Sequence, residues 1–186
     1  LHVGKLIQNF FTSAKTLALI GLIVVGILLG RNADAISENF SNLWGVRGAD
    51  PIQPDFFPVA AVAAGSGFIG LLVAFSVAQV GSLFSSDAWN NITFTAGEVK
   101  NPQRDIPLSL ALGTSIVITL YTLANVAYLV MLPLQGIQHA ADDRVATAAL
   151  QNIFGPAAAT IMAVLIIVST FGCNNGLILS GARVYY

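Results

Sequence analysis

Four long apolar stretches separated by three polar connections set the pattern of this chain. A membrane-spanning helix needs about 20 mostly apolar residues. The first stretch runs from about Phe10 to Gly30, with TLALIGLIVVGILLG its clearest part. The second starts near Gly67, after the Ala/Gly-rich lead-in AAVAAGS, and runs to Val99. The third covers about Pro107 to Leu132, with Asp105 expected as N-cap and Pro107 in the first turn, where its missing N–H leaves nothing unpaired. The fourth runs from about Pro156 to the end, because Gly155 is a natural helix stop and Pro156 a natural start.

The second stretch breaks the pattern. Phe84 to Val99 reads FSSDAWNNITFTAGEV and places Ser85, Ser86, Asp87, Asn90, Asn91 and Thr93 directly after an apolar run. Hydrocarbon offers no hydrogen bonds, so irregular backbone at that depth is tolerated only against protein or a water-filled cavity. An ionisable residue there marks a functional site by default. The stretch therefore predicts a discontinuous transmembrane helix. Its outer half ends near Leu83, an unwound joint covers Ser85 to Ala88, and an inner half runs from Trp89 to Val99.

The connections orient the helices. Residues 31–57 are polar and acidic, and KNPQRD is a short turn holding the helix-breaking Asn-Pro pair. Residues 133–155 contain DDRVATAALQNIF, which predicts a short amphipathic helix capped by Asp142 or Asp143 and lying at the interface. Lys5, Lys15, Lys100, Arg104 and Arg183 fall on one side and Arg31, Arg47 and Arg144 on the other. The excess of basic residues in short loops marks the cytoplasm, so 31–57 and 133–155 are expected to be extracellular loops.

Composition agrees with an all-α integral membrane protein. The chain has 186 residues, 55% hydrophobic and 9% charged, against about 25% charged in a typical globular domain, and its mean hydropathy is +0.77. A net charge of −1 provides no basic stripe for nucleic acid. The single Cys173 and the isolated His2 and His139 form neither a disulfide nor a metal-ligand set. No Ser/His/Asp arrangement falls at bilayer depth, so no enzyme, metal or cofactor is expected. LHVGK at the start carries no cleavage pattern, and the expectation is a piece of a larger integral protein.

The run SDAWNNITFTAGEVKNPQRDIPLSLALG resembles the sixth helix, inner turn and seventh helix of amino acid permeases of the amino acid–polyamine–organocation superfamily, nearest to the L-type amino acid transporter-like branch. FFTSAKTLALIG resembles the family's fifth helix, including its Lys, and STFGCNNGLILSGARVYY resembles its eighth. The resemblance implies a parent of about twelve helices whose first five are repeated inverted by the next five. This chain would hold helices five to eight of that partial inverted-repeat transporter core, without the first helix that supplies the other half of the substrate site.

The resemblance also assigns roles. The carbonyls near Phe84, Ser85, Ser86 and Asp87 would receive the ammonium of an amino acid, and Phe84 would be the aromatic gate closing over it. The rival is a kinked helix whose Ser and Asp bond internally and whose Phe84 packs or meets lipid. Asp87 would cap the inner half-helix through Asn90, pair with a cationic substrate group, or carry a proton. Trp89 and Asn90 would line or back the pocket, or serve as packing residues. Lys15 would either snorkel to the interface or, as the family implies, stand where sodium-coupled relatives hold Na⁺, with Ser169, Thr170 and Cys173 as neighbours. Glu98 and Arg104 would form an inner gate or a solvated surface cluster. Asn174 and Asn175 would approach the site or satisfy neighbours, and Gly172 and Gly176 would permit close helix packing. The implied activity is sodium-independent amino acid exchange or proton-linked uptake at the cell membrane, with an accessory subunit possible in principle. The alternatives are an amino acid sensor without flux and a sodium symporter of the same fold.

Overall fold

The structure is a computed structural model that describes residues 2–41, 68–87 and 89–184. The chain divides into two units, one formed by residues 1–43 with 92–186 and the other by residues 44–91. The described residues are helical throughout apart from short turns.

The larger unit is built on three long helices: α1 (His2–Leu29), α4 (Pro102–Met131) and α7 (Ala157–Val184). Three short helices join them: α2 (Ala33–Phe40), α5 (Leu134–Gln138) and α6 (Val145–Phe154). The smaller unit contains α3 (Phe68–Ser85), which runs into the turn described below. Leu6–Leu29, Pro102–Met131 and Ala157–Ala182 are long and apolar enough to cross a bilayer, with mean hydropathies of 2.1, 1.8 and 1.9.

Burial is concentrated at one end of the larger unit. Leu22, Leu150 and Ala158 form one buried cluster, with Tyr128, Ala146 and Met162 packed on it. Met131, Leu132 and Ala149 form a second, flanked by Ile137, Val145, Ala148 and Ile153. Glycines let the helices approach: a Cβ on Gly26 would lie 2.6 Å from Met131 Sδ, and one on Gly30 would lie 2.8 Å from Met131 Cε. Small residues one turn apart serve this purpose between membrane helices. Elsewhere the long helices expose Leu17, Leu28, Leu112, Ile116, Ile167 and Phe171. Such surface suits lipid or further helices.

Several helix ends differ from the sequence expectation. The expected cap of α4, Asp105, lies inside its first turn; the helix begins at Pro102, with Asn101 at the N-cap position. Pro102 thus takes the proline-tolerant first position, and Pro107 lies inside the helix. Neither Asp142 nor Asp143 caps α6. Both have positive φ (53° and 57°), a conformation Asp tolerates better than most residues, and Arg144 occupies the N-cap position without a side-chain bond. Arg144 instead pairs with Asp142 at 3.5 Å on the surface. Gly155 (φ 56°) follows α6, and α7 starts just past Pro156. Residues 42–67, which include Arg47 and the lead-in to the second stretch, lie outside the described residues.

Candidate functional site

The apolar run of α3 stops at Ser85. Ser86 and Asp87 form a turn, and the chain resumes at Trp89 as a 3₁₀ helix to Glu98. Ser hydroxyls bond nearby backbone carbonyls. Ser86 Oγ lies within bonding distance of the carbonyls of Ser82 (3.1 Å) and Leu83 (3.0 Å), and its N–H donates to Leu83 at 3.2 Å. That N–H bond reaches three residues back, the tightened closing turn common at helix ends. The tighter 3₁₀ winding beyond differs from the α-helical inner half expected from the sequence. Runs of this kind are uncommon and mark strained or hinge-like segments.

Beside the turn, Val80, Leu83, Ser86, Asp87 and Trp89 line an open depression of ≈ 500 Å³. The lining combines apolar walls, one hydroxyl, one carboxyl and one indole. Ser86, Asp87, Trp89 and Asn90 are exposed, and Asn90 is not among the lining residues. The backbone of Phe84 and Ser85 completes the last turn of α3, but their side chains lie outside the described residues.

The other sequence-derived residues lie in the larger unit. Lys15 is half-buried in α1. Helices α1 and α7 run antiparallel, as their contacts establish: Gln8 accepts a hydrogen bond from Asn175 Nδ2 at 2.8 Å, and the rings of Phe11 and Phe171 are 5.4 Å apart. A Cβ on Gly172 would lie 2.8 Å from Phe11 Cβ, and one on Gly176 would lie 3.4 Å from Gln8 Nε2. Further along, Leu22 clusters with Ala158. On this register Lys15 stands level with Val168 and Ser169, on the face that carries Gln8 and Phe11. Ser169 is half-buried and shares the face of Gly172 and Gly176, whereas Thr170 and Cys173 are exposed. Glu98 ends the 3₁₀ helix and Arg104 sits in the first turn of α4, both exposed.

Three asparagines that the sequence reading passed over, Asn32, Asn39 and Asn152, form a bonded polar cluster at the end of α4. An α-helix ends with four carbonyls that lack partners. At the end of α4, Asn39 Nδ2 donates to the carbonyls of Leu129 and Leu132, both at 2.8 Å. Asn39 Oδ1 accepts the N–H of Leu134 at 3.0 Å. The N–H of Asn32 donates to Val130 at 3.1 Å, and Asn152 Nδ2 donates to Met131 at 3.2 Å. Asn32 also caps α2 by accepting the N–H groups of Asp34 and Ala35. An Asn on an otherwise apolar helix face was the available signal, at Asn39 and at Asn152.

Three helices long and apolar enough to cross a bilayer, with a further apolar helix that ends in a polar turn, are the features of an integral membrane protein. The chain belongs to the amino acid permease family, whose pattern it matches over residues 1–186. It is 30% identical over its full length to the b(0,+)-type amino acid transporter 1 of Oryctolagus cuniculus, covering 33% of that protein. It is 36% identical over 112 residues to the serine/threonine exchanger SteT of Bacillus subtilis (strain 168), covering 60% of this chain and 25% of that protein. It is 26% identical over 190 residues to the human large neutral amino acids transporter small subunit 2, covering 97% of this chain and 29% of that protein. The chain thus spans about a third of the length of the curated relatives it matches. No solved structure gives a significant match.

Proposed function

We propose that the protein containing this chain carries amino acids across the cell membrane by alternating access, as a sodium-independent exchanger. The observation that carries this reading is the interruption of α3 at Ser86–Asp87 beside an open depression. Transporters build substrate sites at broken helices, because a half-helix end presents carbonyls carrying partial negative charge. The Leu83 carbonyl already takes two donors from Ser86, so the substrate ammonium falls to the carbonyls that follow, from Phe84 to Asp87. Phe84 closes over the site, and Asp87, Trp89 and Asn90 shape it. The substrate carboxylate is held by helices outside this chain, so the inverted-repeat core is completed by the rest of the protein.

Lys15 and Ser169 occupy one level of the α1–α7 seam, which supports a fixed ammonium in place of a bound sodium ion. Exchange is favoured over proton-linked uptake because the Bacillus subtilis relative is named an exchanger. Glu98 and Arg104 flank the inner turn and gate the cytoplasmic side. An accessory subunit fits the naming of the human relative as a small subunit.

Uptake of radiolabelled amino acids into proteoliposomes holding the full-length protein tests this reading. The expected result is uptake that needs amino acid inside the vesicles and is unchanged when choline replaces Na⁺. Binding without flux would select the sensor. Sodium-dependent uptake that survives Lys15→Ala would select the symporter.

A further inference from the structure

We propose that Asn39 clamps α2 and α5 to the end of α4, where Asn152 adds α6, so that the two polar connections at that end of the long helices move as one rigid body during transport. The inference rests on the transporter reading for its purpose, but the clamp itself is a property of the fold.

Asn39 is 9% exposed, and both ends of its amide are engaged. The N–H of Leu134 can only donate, so the Asn39 oxygen must face it. That orientation points the amide hydrogens at the carbonyls of Leu129 and Leu132, where both bonds are made at 2.8 Å. One side chain from α2 thus joins the last turn of α4 to the first residue of α5. Asn152 adds α6 through Met131 O, and the backbone of Asn32 fills Val130 O. Gly26 and Gly30 bring α1 against Met131 and Ile153. The Asn39 bonds join residues at least 90 positions apart in sequence, beside a buried apolar cluster.

Hydrogen bonds of this kind hold only over a narrow distance range. Sliding α2 along α4 would break all three Asn39 bonds at once and strand buried polar groups, which folded proteins avoid; sliding α6 would break the Asn152 bond and open the apolar cluster. The pieces therefore move together or not at all. Packed regions of this kind switch as blocks rather than deform continuously, so the rearrangement between transport states must fall outside this block.

The test uses the full-length protein, carrying Cys173→Ser and otherwise free of reactive thiols, with nitroxide labels at Ser37→Cys on α2 and Gln151→Cys on α6, both exposed positions, and pulsed electron resonance to read their distance distribution. The wild-type background is expected to give one narrow peak that saturating L-serine does not shift. Asn39→Asp keeps the acceptor for Leu134 but loses both donors, and should broaden the peak about twofold through local opening. Asn152→Ala removes a single bond and should broaden it less; it also serves if Asn39→Asp does not fold. A broad or two-peaked wild-type distribution, a shift with L-serine, or unchanged width in the variants would overturn the proposal. Transport is not read in this experiment. A protein that carries no amino acid would therefore refute the transporter reading while leaving the distances to decide the clamp.

Discussion

At the end of α4 each late carbonyl from Leu129 to Leu132 meets a donor from another element. At the end of α3 the bonds described are local, from Ser86 back onto its own last turn, and the polar side chains that follow are exposed. Both ends follow long apolar runs and both use short polar side chains. The difference lies in where the donors come from. Tertiary donors make a helix end part of a packed block, as Asn39 does. The bonds of Ser86 stay within its own segment. The first end is tied into a packed block and the second is the one proposed to bind substrate, and substitutions at the two should separate accordingly.

The largest effect is expected at the rigid end. Asn39→Ala removes the partner of three backbone groups, one buried and two partly buried, at up to about 1–3 kcal/mol for the buried one, and should lower the thermal unfolding midpoint in detergent. A midpoint equal to wild type would erase the distinction between the two ends. Next comes Phe84→Ala, expected to cut uptake by roughly tenfold or more, about 1.4 kcal/mol of barrier, while the unfolding midpoint stays near wild type. Loss of stability there would mean that Phe84 packs rather than gates. Gly172→Leu forces a side chain onto Phe11. Overpacking of that kind costs about 1–3 kcal/mol, visible in the same unfolding assay and absent for Gly81→Leu, where the surroundings are open. The smallest is Gln8→Ala, which removes the bond to Asn175 and should cost about 0.6 kcal/mol, as membrane hydrogen bonds average. A much larger loss would make the α1–α7 seam a second rigid element.

The three long apolar helices and the end of α3 at Ser85 were legible because both are local signals. A run of Leu, Val and Ile predicts a span, and Ser85-Ser86-Asp87 interrupts it within four residues of where α3 stops. What escaped the sequence depends on partners far along the chain. Asn39 sits in a stretch that reads as an ordinary acidic loop, and its role appears only when Leu129, Leu132 and Leu134 are brought to it. The start of α4 was misplaced because two prolines and an aspartate compete as start signals within six residues, and Pro102 takes the first helical position. The Asp142-Asp143 pair resembles a cap by composition, yet both residues adopt left-handed backbone and leave the helix start to Arg144. The 3₁₀ winding after Trp89 had no periodic signature to distinguish it from α-helix. Among the residues singled out for the site, Ser86, Asp87 and Trp89 share the depression, while Lys15 and Ser169 share a level on the α1–α7 seam.

The central claim is that an amino acid binds where α3 loses its winding. Its most direct test is substrate protection of a cysteine at that turn, Ser86→Cys with Cys173→Ser, in full-length protein otherwise free of reactive thiols. The account predicts that a water-soluble thiol reagent labels Ser86→Cys and that saturating transported amino acid slows the labelling. Labelling at one rate whatever amino acid is present, or no labelling from water at all, would contradict it.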